Sequence, residues 1–551
     1  MYRIFDEHHL RPVTPLNGLW DMEADGTHYP MLIPGVWERI PELRSWRGVA
    51  AFTRKVTVEA AGTYLLRFGG VSHTATVYWD GEQVGQHYNA YTAFEVLLTD
   101  AAAGEHTLRV MADNRYETAS VLHFPNDYYT YGGLNRPVEM QRLSGARIRR
   151  MQFSCTQTGE GAYRATVEVF VQALADADDL TVRLSVAGAA ATADVPALTA
   201  GTDTSVTLTL DVTGVKPWDI GQGNLYDLTA TLLCGGSPID DLIDRVGFRT
   251  VEIAGEEIRL NGRKIFIKGF NRHEDHGQFG SALSVDAMMD DLHLLLATGA
   301  NSVRTCHYPN DPRFLDLCDA LGVLVWEENH ARGISEKTMR EPDFGPVCRK
   351  VNEEMITQHY NHPSIWVWGL LNECESATEF GREVYREQLE QLKALDPTRP
   401  TTFASCRCFT DLCQDLPDVC SFNIYPLWYH EEPAADYARR IADFMDKAGA
   451  AGKPIIFSEF GAGAIAGYHD PFGRAKWSEE RQCDILDEQL GAILGMERVS
   501  GAYIWQFCDV RVAESWAHSR PKTVNNKGVF DQFRRPKMSF SVVKKHYSQK
   551  K

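Results

Sequence analysis

Two glutamates stand at the ends of apolar runs, where a carboxyl group could do acid–base or nucleophilic work. Ile365-Trp-Val-Trp-Gly-Leu-Leu leads into Asn372 and Glu373, and Pro454-Ile-Ile-Phe-Ser leads into Glu459. Each run is short, apolar and β-prone, so each reads as a buried strand ending in polar residues. Glycoside hydrolysis needs two carboxyl groups flanking an anomeric carbon, about 5 to 5.5 Å apart when one is the nucleophile and the configuration is retained. A lone glutamate after a strand is more often an ion-pair partner or a helix cap. The repetition of the arrangement on two strands directs the reading toward catalysis.

The wording around the two glutamates extends that reading. Asn361-His-Pro-Ser-Ile-Trp-Val-Trp-Gly-Leu-Leu-Asn-Glu and Ile455-Ile-Phe-Ser-Glu-Phe-Gly resemble the acid/base and nucleophile motifs of glycoside hydrolase family two. Ile267-Lys-Gly-Phe-Asn-Arg-His-Glu-Asp-His resembles the family's first barrel strand, Val303-Arg-Thr-Cys-His-Tyr-Pro its third, and Val323-Leu-Val-Trp-Glu-Glu the next. The resemblance implies that Glu373 is the general acid/base and Glu459 the nucleophile that forms a glycosyl-enzyme intermediate, with Asn372 bonding the sugar 2-hydroxyl. Glu373 must then start protonated, its pKa raised by burial or by the charge of its partner. No cofactor and no required metal are implied.

The family splits by sugar, and the end of the chain bears on that choice. Asn525-Asn-Lys527-Gly-Val-Phe resembles the Asn-x-Lys motif with which the family's β-glucuronidases recognise a C6 carboxylate. Lys527 would supply a point charge and Asn525 a neutral donor. Asn423-Ile-Tyr425-Pro-Leu-Trp-Tyr429 is similar to the segment that surrounds sugar and nucleophile, with Tyr425 expected to bond Glu459. Asp127 in Asp-Tyr-Tyr-Thr-Tyr-Gly-Gly resembles an aspartate that the first domain contributes to the sugar hydroxyls, and Arg520 falls near an active-site arginine position. His307 and Trp505, at strand ends, are further candidates for substrate contact or packing. Glu373 is followed by Cys374 instead of the proline common in glucuronidases, and Arg332 occupies an altered continuation, Glu327-Glu-Asn-His-Ala-Arg-Gly. A second cation there would suit a carboxylate held in another orientation. The expected activity is therefore retaining exo-hydrolysis of terminal β-D-glucuronides, from a small molecule or a glycan end. A β-galacturonidase or dual-specificity enzyme is the alternative, and a β-galactosidase or a non-catalytic carbohydrate-binding protein ranks below it.

These residues need a scaffold. Residues 1–145 carry short alternating runs such as Thr63-Tyr-Leu-Leu-Arg-Phe with turns such as Asp80-Gly81, which predicts a β-sandwich; the resemblance makes it jelly-roll-like and sugar-binding. Residues 146–250 continue with Thr- and Val-rich runs that fit an immunoglobulin-like sandwich. From 251 to 551 apolar runs alternate with amphipathic stretches such as Asp286 to Thr298, which predicts a catalytic (β/α)8 TIM barrel with its chemistry at the strand ends.

Composition bounds the alternatives. The 551 residues exceed one ordinary domain and suggest three units, 44% hydrophobic and 24% charged as in folded proteins. A net charge of −18 argues against nucleic acid as partner and requires a local cationic pocket for an anionic substrate. Lys544, Lys545, Lys550 and Lys551 read as a solvated tail. The start lacks a secretory pattern and no run is apolar for about 18 residues, so a cytoplasmic protein without membrane contact is expected. Twelve scattered cysteines read as reduced thiols, and the cluster Cys406, Cys408, Cys413, Cys420 lacks paired zinc spacing. Family precedent favours a homo-oligomer.

Overall fold

The computed structural model describes residues 2–117 and 120–550. Alternating burial builds the N-terminal part. A four-stranded antiparallel sheet (Val13–Pro15, Val138–Leu143, Gly62–Phe68, Phe94–Ala101) faces a six-stranded one that contains Val49–Val58 and Gly104–Asp113. Leu66, Phe68, Phe52 and Val110 fill the space between them. Asp80 and Gly81 both adopt positive φ, 50° and 92°, in a two-residue turn between Thr74–Trp79 and Glu82–Tyr88, the twist-compatible way to close a hairpin. The next strands form a sandwich of three strands (Ala146–Gly159, Ala162–Ala173, Asp203–Thr213) against four (Ala189–Val195, Leu180–Val186, Tyr226–Cys234, Ser237–Val246).

Eight parallel strands then close into a barrel: β1 (Ile267–Asn271), β2 (Ser302–Thr305), β3 (Leu324–Glu328), β4 (Ile365–Gly369), β5 (Thr401–Ser405), β6 (Val419–Asn423), β7 (Ile455–Phe460) and β8 (Val499–Ile504). The strand count differs from expectation at one place. Val303 lies on the second strand and Leu324–Glu328 is the third, because only the helix Val285–Ala297 separates β1 from β2. That helix starts where the Ser284 hydroxyl accepts from the Ala287 N–H, an N-cap. The helix Pro312–Leu321 has Asp311 as N-cap and Pro at its first position, and ends on Gly322 at φ 67°. A Cβ on Gly322 would lie 2.5 Å from the Gly221 nitrogen, so the second sandwich can approach only a glycine there.

A small sheet (Val251–Ala254, Glu257–Leu260, Arg263–Ile265) packs Ile258, Leu260 and Ile265 with Trp326, Trp366 and Tyr503 of the barrel. Of the four C-terminal lysines, Lys544 and Lys545 are exposed on an ordered helix and Lys550 follows it, so these three do not form a tail, and Lys551 lies outside the described residues. The helix Ser539–Gln549 docks through buried Val543 and Tyr547, an i, i+4 pair on one face, and Lys550 donates to the Leu494 carbonyl at 2.7 Å. Among the described residues no helix is long and apolar enough to cross a membrane.

Candidate active site

The two glutamates stand at the C-terminal ends of β4 and β7, three strands apart around the barrel. Glu459 lies within β7, where its backbone is register-paired with Asn423 of β6. Glu373 follows β4 in a tight turn in which Leu371 and Glu373 both take positive φ, 47° and 52°. Non-glycine residues in that region are strained, and such strain persists where surrounding structure fixes it. Here the Glu373 N–H bonds the Ala404 carbonyl of β5 at 2.9 Å, and the Tyr385 hydroxyl bonds the Leu371 carbonyl at 2.7 Å.

Buried donors set both carboxylates. The Arg304 Nη1 donates to Glu459 Oε1 at 3.0 Å and the Tyr425 hydroxyl to Oε2 at 2.9 Å. Asn423 Nδ2 donates to Glu373 Oε1 at 3.0 Å, and Arg332 lies 3.3 Å from Oε2. Arg304 also holds the Asn372 Oδ1 at 2.8 Å. The Nδ2 of Asn372, buried and without a protein partner, is left as a donor aimed into the pocket. Burial first, then the charge of Glu373, push the Glu459 carboxyl up to about 8, against the pull of Arg304 and the Tyr425 hydroxyl.

A second cluster adjoins the first and centres on Asp127, carried by the segment 120–137 that lies against the barrel. Arg332 lies 3.2 Å from Asp127 Oδ1, while Arg520 donates to Oδ2 at 3.1 Å and Asn525 Nδ2 at 3.4 Å. Burial would raise the Asp127 carboxyl, but Arg332, Arg520 and Lys527 outweigh it and hold it well below the usual carboxylate range. Burial pulls the Lys527 ammonium below its usual value, an effect that Tyr429 opposes and Arg520 reinforces. The ammonium sits 5.4 Å from the Tyr429 ring centre and 5.8 Å from that of Tyr425, within cation–π range. Arg332 is fixed from both sides. Its Nη1 donates to Asn126 Oδ1 at 2.6 Å, and the following Gly333 N–H bonds the Asn372 carbonyl at 2.7 Å.

His307 and Trp505 stack on the floor at 5.2 Å between ring centres, with His307 Nε2 4.0 Å from Glu459 Oε1. Every residue singled out from the sequence thus falls into one of three contiguous groups: the carboxylates with Asn372, Asn423 and Tyr425; Asp127 with Arg332, Arg520, Asn525, Lys527 and Tyr429; and the floor. The reading missed Arg304, which also grips Glu328 at 2.8 and 2.9 Å, and Asn126. An arginine in the middle of the short strand β2, Ser-Val-Arg-Thr, was the available signal.

The whole chain has relatives. Residues 251–551 match the family model described as "Glycosyl hydrolases family 2, TIM barrel domain", residues 146–249 "Glycosyl hydrolases family 2", and residues 39–156 "Glycosyl hydrolase 2 galactose-binding domain-like". A β-glucuronidase of Paenibacillus borealis is 26% identical over 98% of this chain and 97% of its own. One of Streptococcus agalactiae is 28% identical over 97% of each. A crystal structure of a GH2 β-galacturonidase from Eisenbergiella tayi bound to galacturonate is 47% identical with a TM-score of 0.97, covering 100% of this chain and 99% of that one.

Proposed function

The chain belongs to glycoside hydrolase family 2, and on that premise we propose that it is a retaining exo-β-uronidase that removes a terminal β-linked galacturonic acid, with β-glucuronides as second substrates. One observation carries the anionic sugar: three cations, Arg332, Arg520 and Lys527, converge on one buried carboxylate, Asp127, beside the Glu373–Glu459 pair. Arg332 is shared with Glu373, but Arg520 and Lys527 face Asp127 together, an excess of positive charge that a sugar carboxylate would neutralise and a hydroxymethyl group would not. In this reading Lys527 and Asn525 take the carboxylate, and the free Asn525 Oδ1 accepts from a sugar hydroxyl.

The motifs alone rank glucuronides first. Two findings favour the C4 epimer instead: the 47% identical relative is a β-galacturonidase, whereas the glucuronidases above are 26% and 28% identical. In addition, Arg332 bridges Asp127 and Glu373, which puts a second cation beside the carboxylate pair, where it could hold a sugar carboxylate in another orientation. The chemistry is a double displacement. Glu373 gives a proton to the glycosidic oxygen while Glu459 attacks the anomeric carbon, and Glu373 then takes a proton from the water that hydrolyses the ester. Arg304 and Tyr425 favour the ionised Glu459 that attack requires, and Asn372 Nδ2 strengthens its bond to the 2-hydroxyl as the oxocarbenium-like transition state forms. Glu327 and His330 are engaged elsewhere, Glu327 with His359 at 3.0 Å and His330 with the Tyr128 hydroxyl at 3.0 Å, which does not favour the metal-dependent galactosidase reading.

The test is kcat/KM on chromogenic β-galacturonide, β-glucuronide and β-galactoside. The expected order is galacturonide, then glucuronide, then galactoside, with Lys527→Ala lowering both uronides by roughly 10- to 100-fold and leaving the galactoside rate unchanged. A preference for the galactoside would overturn the uronidase reading. A preference for the glucuronide would exchange the two uronides and leave the rest standing.

A further inference from the structure

Arg332 stands between two carboxylates, yet neither of them fixes its direction. Its Nη2 lies 3.2 Å from Asp127 Oδ1 and 3.3 Å from Glu373 Oε2. Among the described residues its guanidinium makes a single hydrogen bond, from Nη1 to Asn126 Oδ1 at 2.6 Å, and the buried Nε has no partner. The distinction matters because charge attraction depends chiefly on distance, whereas a hydrogen bond weakens steeply out of line. The two carboxylates hold the guanidinium in place, and Asn126 sets the plane in which its other N–H groups point.

Asn126 is itself firmly held. It is 2% exposed, and its Oδ1 also accepts the Asp127 N–H at 3.0 Å. Both neighbours of that atom are donors, so the side-chain amide can present only its oxygen there. The Asn126 backbone carbonyl accepts the Ala513 N–H at 3.0 Å, and the preceding Pro125 carbonyl accepts from Trp516 Nε1 at 3.3 Å. The Trp516 ring in turn lies 5.8 Å from the Arg332 guanidinium and 5.6 Å from that of Arg520. Asn126 thus joins the segment from the first sandwich to the loop after β3 and to the chain beyond β8, where both arginines begin.

We propose that Asn126 is a positioning residue that sets the choice between the two C4-epimeric uronic acids, in favour of the galacturonide, by aiming Arg332. This role rests on the uronidase reading of the same site. Galacturonic and glucuronic acid carry the same charge and the same groups, and differ in the direction of one hydroxyl. Charge alone does not separate them, because Lys527 with Asn525 serves either carboxylate. Discrimination needs a donor held in a fixed direction, and it is strongest where the disfavoured sugar leaves that donor unpaired. Without the Asn126 oxygen the guanidinium turns between its two carboxylates, so the favoured epimer loses an aligned contact that the other never had.

The experiment is the ratio of kcat/KM on chromogenic β-galacturonide to that on β-glucuronide, in the native protein, Asn126→Ala and Asn126→Asp. Asn126→Ala should bring the ratio toward unity by about tenfold, with the galacturonide losing most. Asn126→Asp keeps the acceptor and should keep the ratio within about twofold, whatever its added charge does to both rates together. Where the alanine variant melts well below the native protein, Asn126→Leu, close to asparagine in shape and without the acceptor, takes its place. A ratio unmoved in the alanine or leucine variant, with both uronides slowed alike, overturns the role and leaves Asn126 a structural residue. A ratio lost in Asn126→Asp as in Asn126→Ala also overturns it, because the acceptor is then not what aims Arg332. A native preference for the glucuronide that still moves toward unity in Asn126→Ala exchanges the sugars and keeps Asn126 as their selector. Hydrolysis of neither uronide would count against the proposed function alone; the same ratio is then read from the dissociation constants of free galacturonate and glucuronate by calorimetry, with the same outcomes deciding.

Discussion

Glu459 is the more deeply placed of the two carboxylates, its side chain 5% exposed against 19% for Glu373. Burial and the neighbouring Glu373 charge push the Glu459 carboxyl up to about 8, against the pull of Arg304 and the Tyr425 hydroxyl. The shift has a stability consequence with a definite sign. Below the ordinary carboxyl value of about 4.5 folded and unfolded chains both hold the proton, and nothing is lost. Between there and about 8 the unfolded chain gives it up while the folded one keeps it, so the site destabilises the fold progressively as pH rises and no further beyond that range. Glu459→Gln removes the titration and abolishes turnover. Arg304 keeps its two bonds to Glu328, so no buried cation is stranded. We expect the variant to melt with the native protein near pH 4.5 and above it at pH 8, by on the order of 2 kcal/mol of added stability. A variant that melts lower at pH 8 would show that burial of Glu459 is fully compensated by its donors.

At the level of elements, the site depends on one segment that is neither strand nor helix. Residues 120–137 lie against the mouth of the barrel and carry Asn126 and Asp127 to arginines from the loop after β3 and from the chain beyond β8. Asp127→Asn keeps the shape and removes the carboxylate that pairs with both Arg332 and Arg520. We expect kcat/KM on the uronide to fall roughly 10- to 100-fold as Arg332 and Arg520 lose the anion that orients them; an unchanged value would reduce Asp127 to a rim residue. Strands β3, β4 and β7 were legible because each is a compact apolar run, and the two glutamates because the runs of β4 and β7 lead into them. The order of strands was misjudged by one because a helix of ordinary length joins β1 to β2 where a further strand was expected. Arg304 was not legible as a site residue: a buried cation is intelligible only through its partners, and Glu328, Glu459 and Asn372 come from three other strands or strand ends. The C-terminal helix was hidden by the lysines within and just after it, since the residues that dock it, Val543 and Tyr547, are few among polar ones.

Across the whole molecule the local and global electrostatics oppose each other. The chain carries a net −18, yet its pocket gathers Arg332, Arg520 and Lys527 around one aspartate. Buried pairs join the parts that create this contrast: Arg136 of the first sandwich meets Glu274 of the barrel at 2.8 Å, and Arg3 meets Asp316 at 2.6 Å. A uronide approaching through solvent first meets the field of the whole surface, which repels it, and only within the mouth meets the cations that hold it. Salt distinguishes the two, because exposed charges beyond a Debye length are screened, about 30 Å at 0.01 M and 10 Å at 0.1 M, whereas buried charges are screened much less. Raising ionic strength across that range should therefore increase kcat/KM on the uronide, by about twofold, while kcat/KM on a neutral galactoside stays flat. A decrease would mean that the pocket's field reaches past the rim and steers the substrate in, and the surface charge would then be a matter of solubility alone.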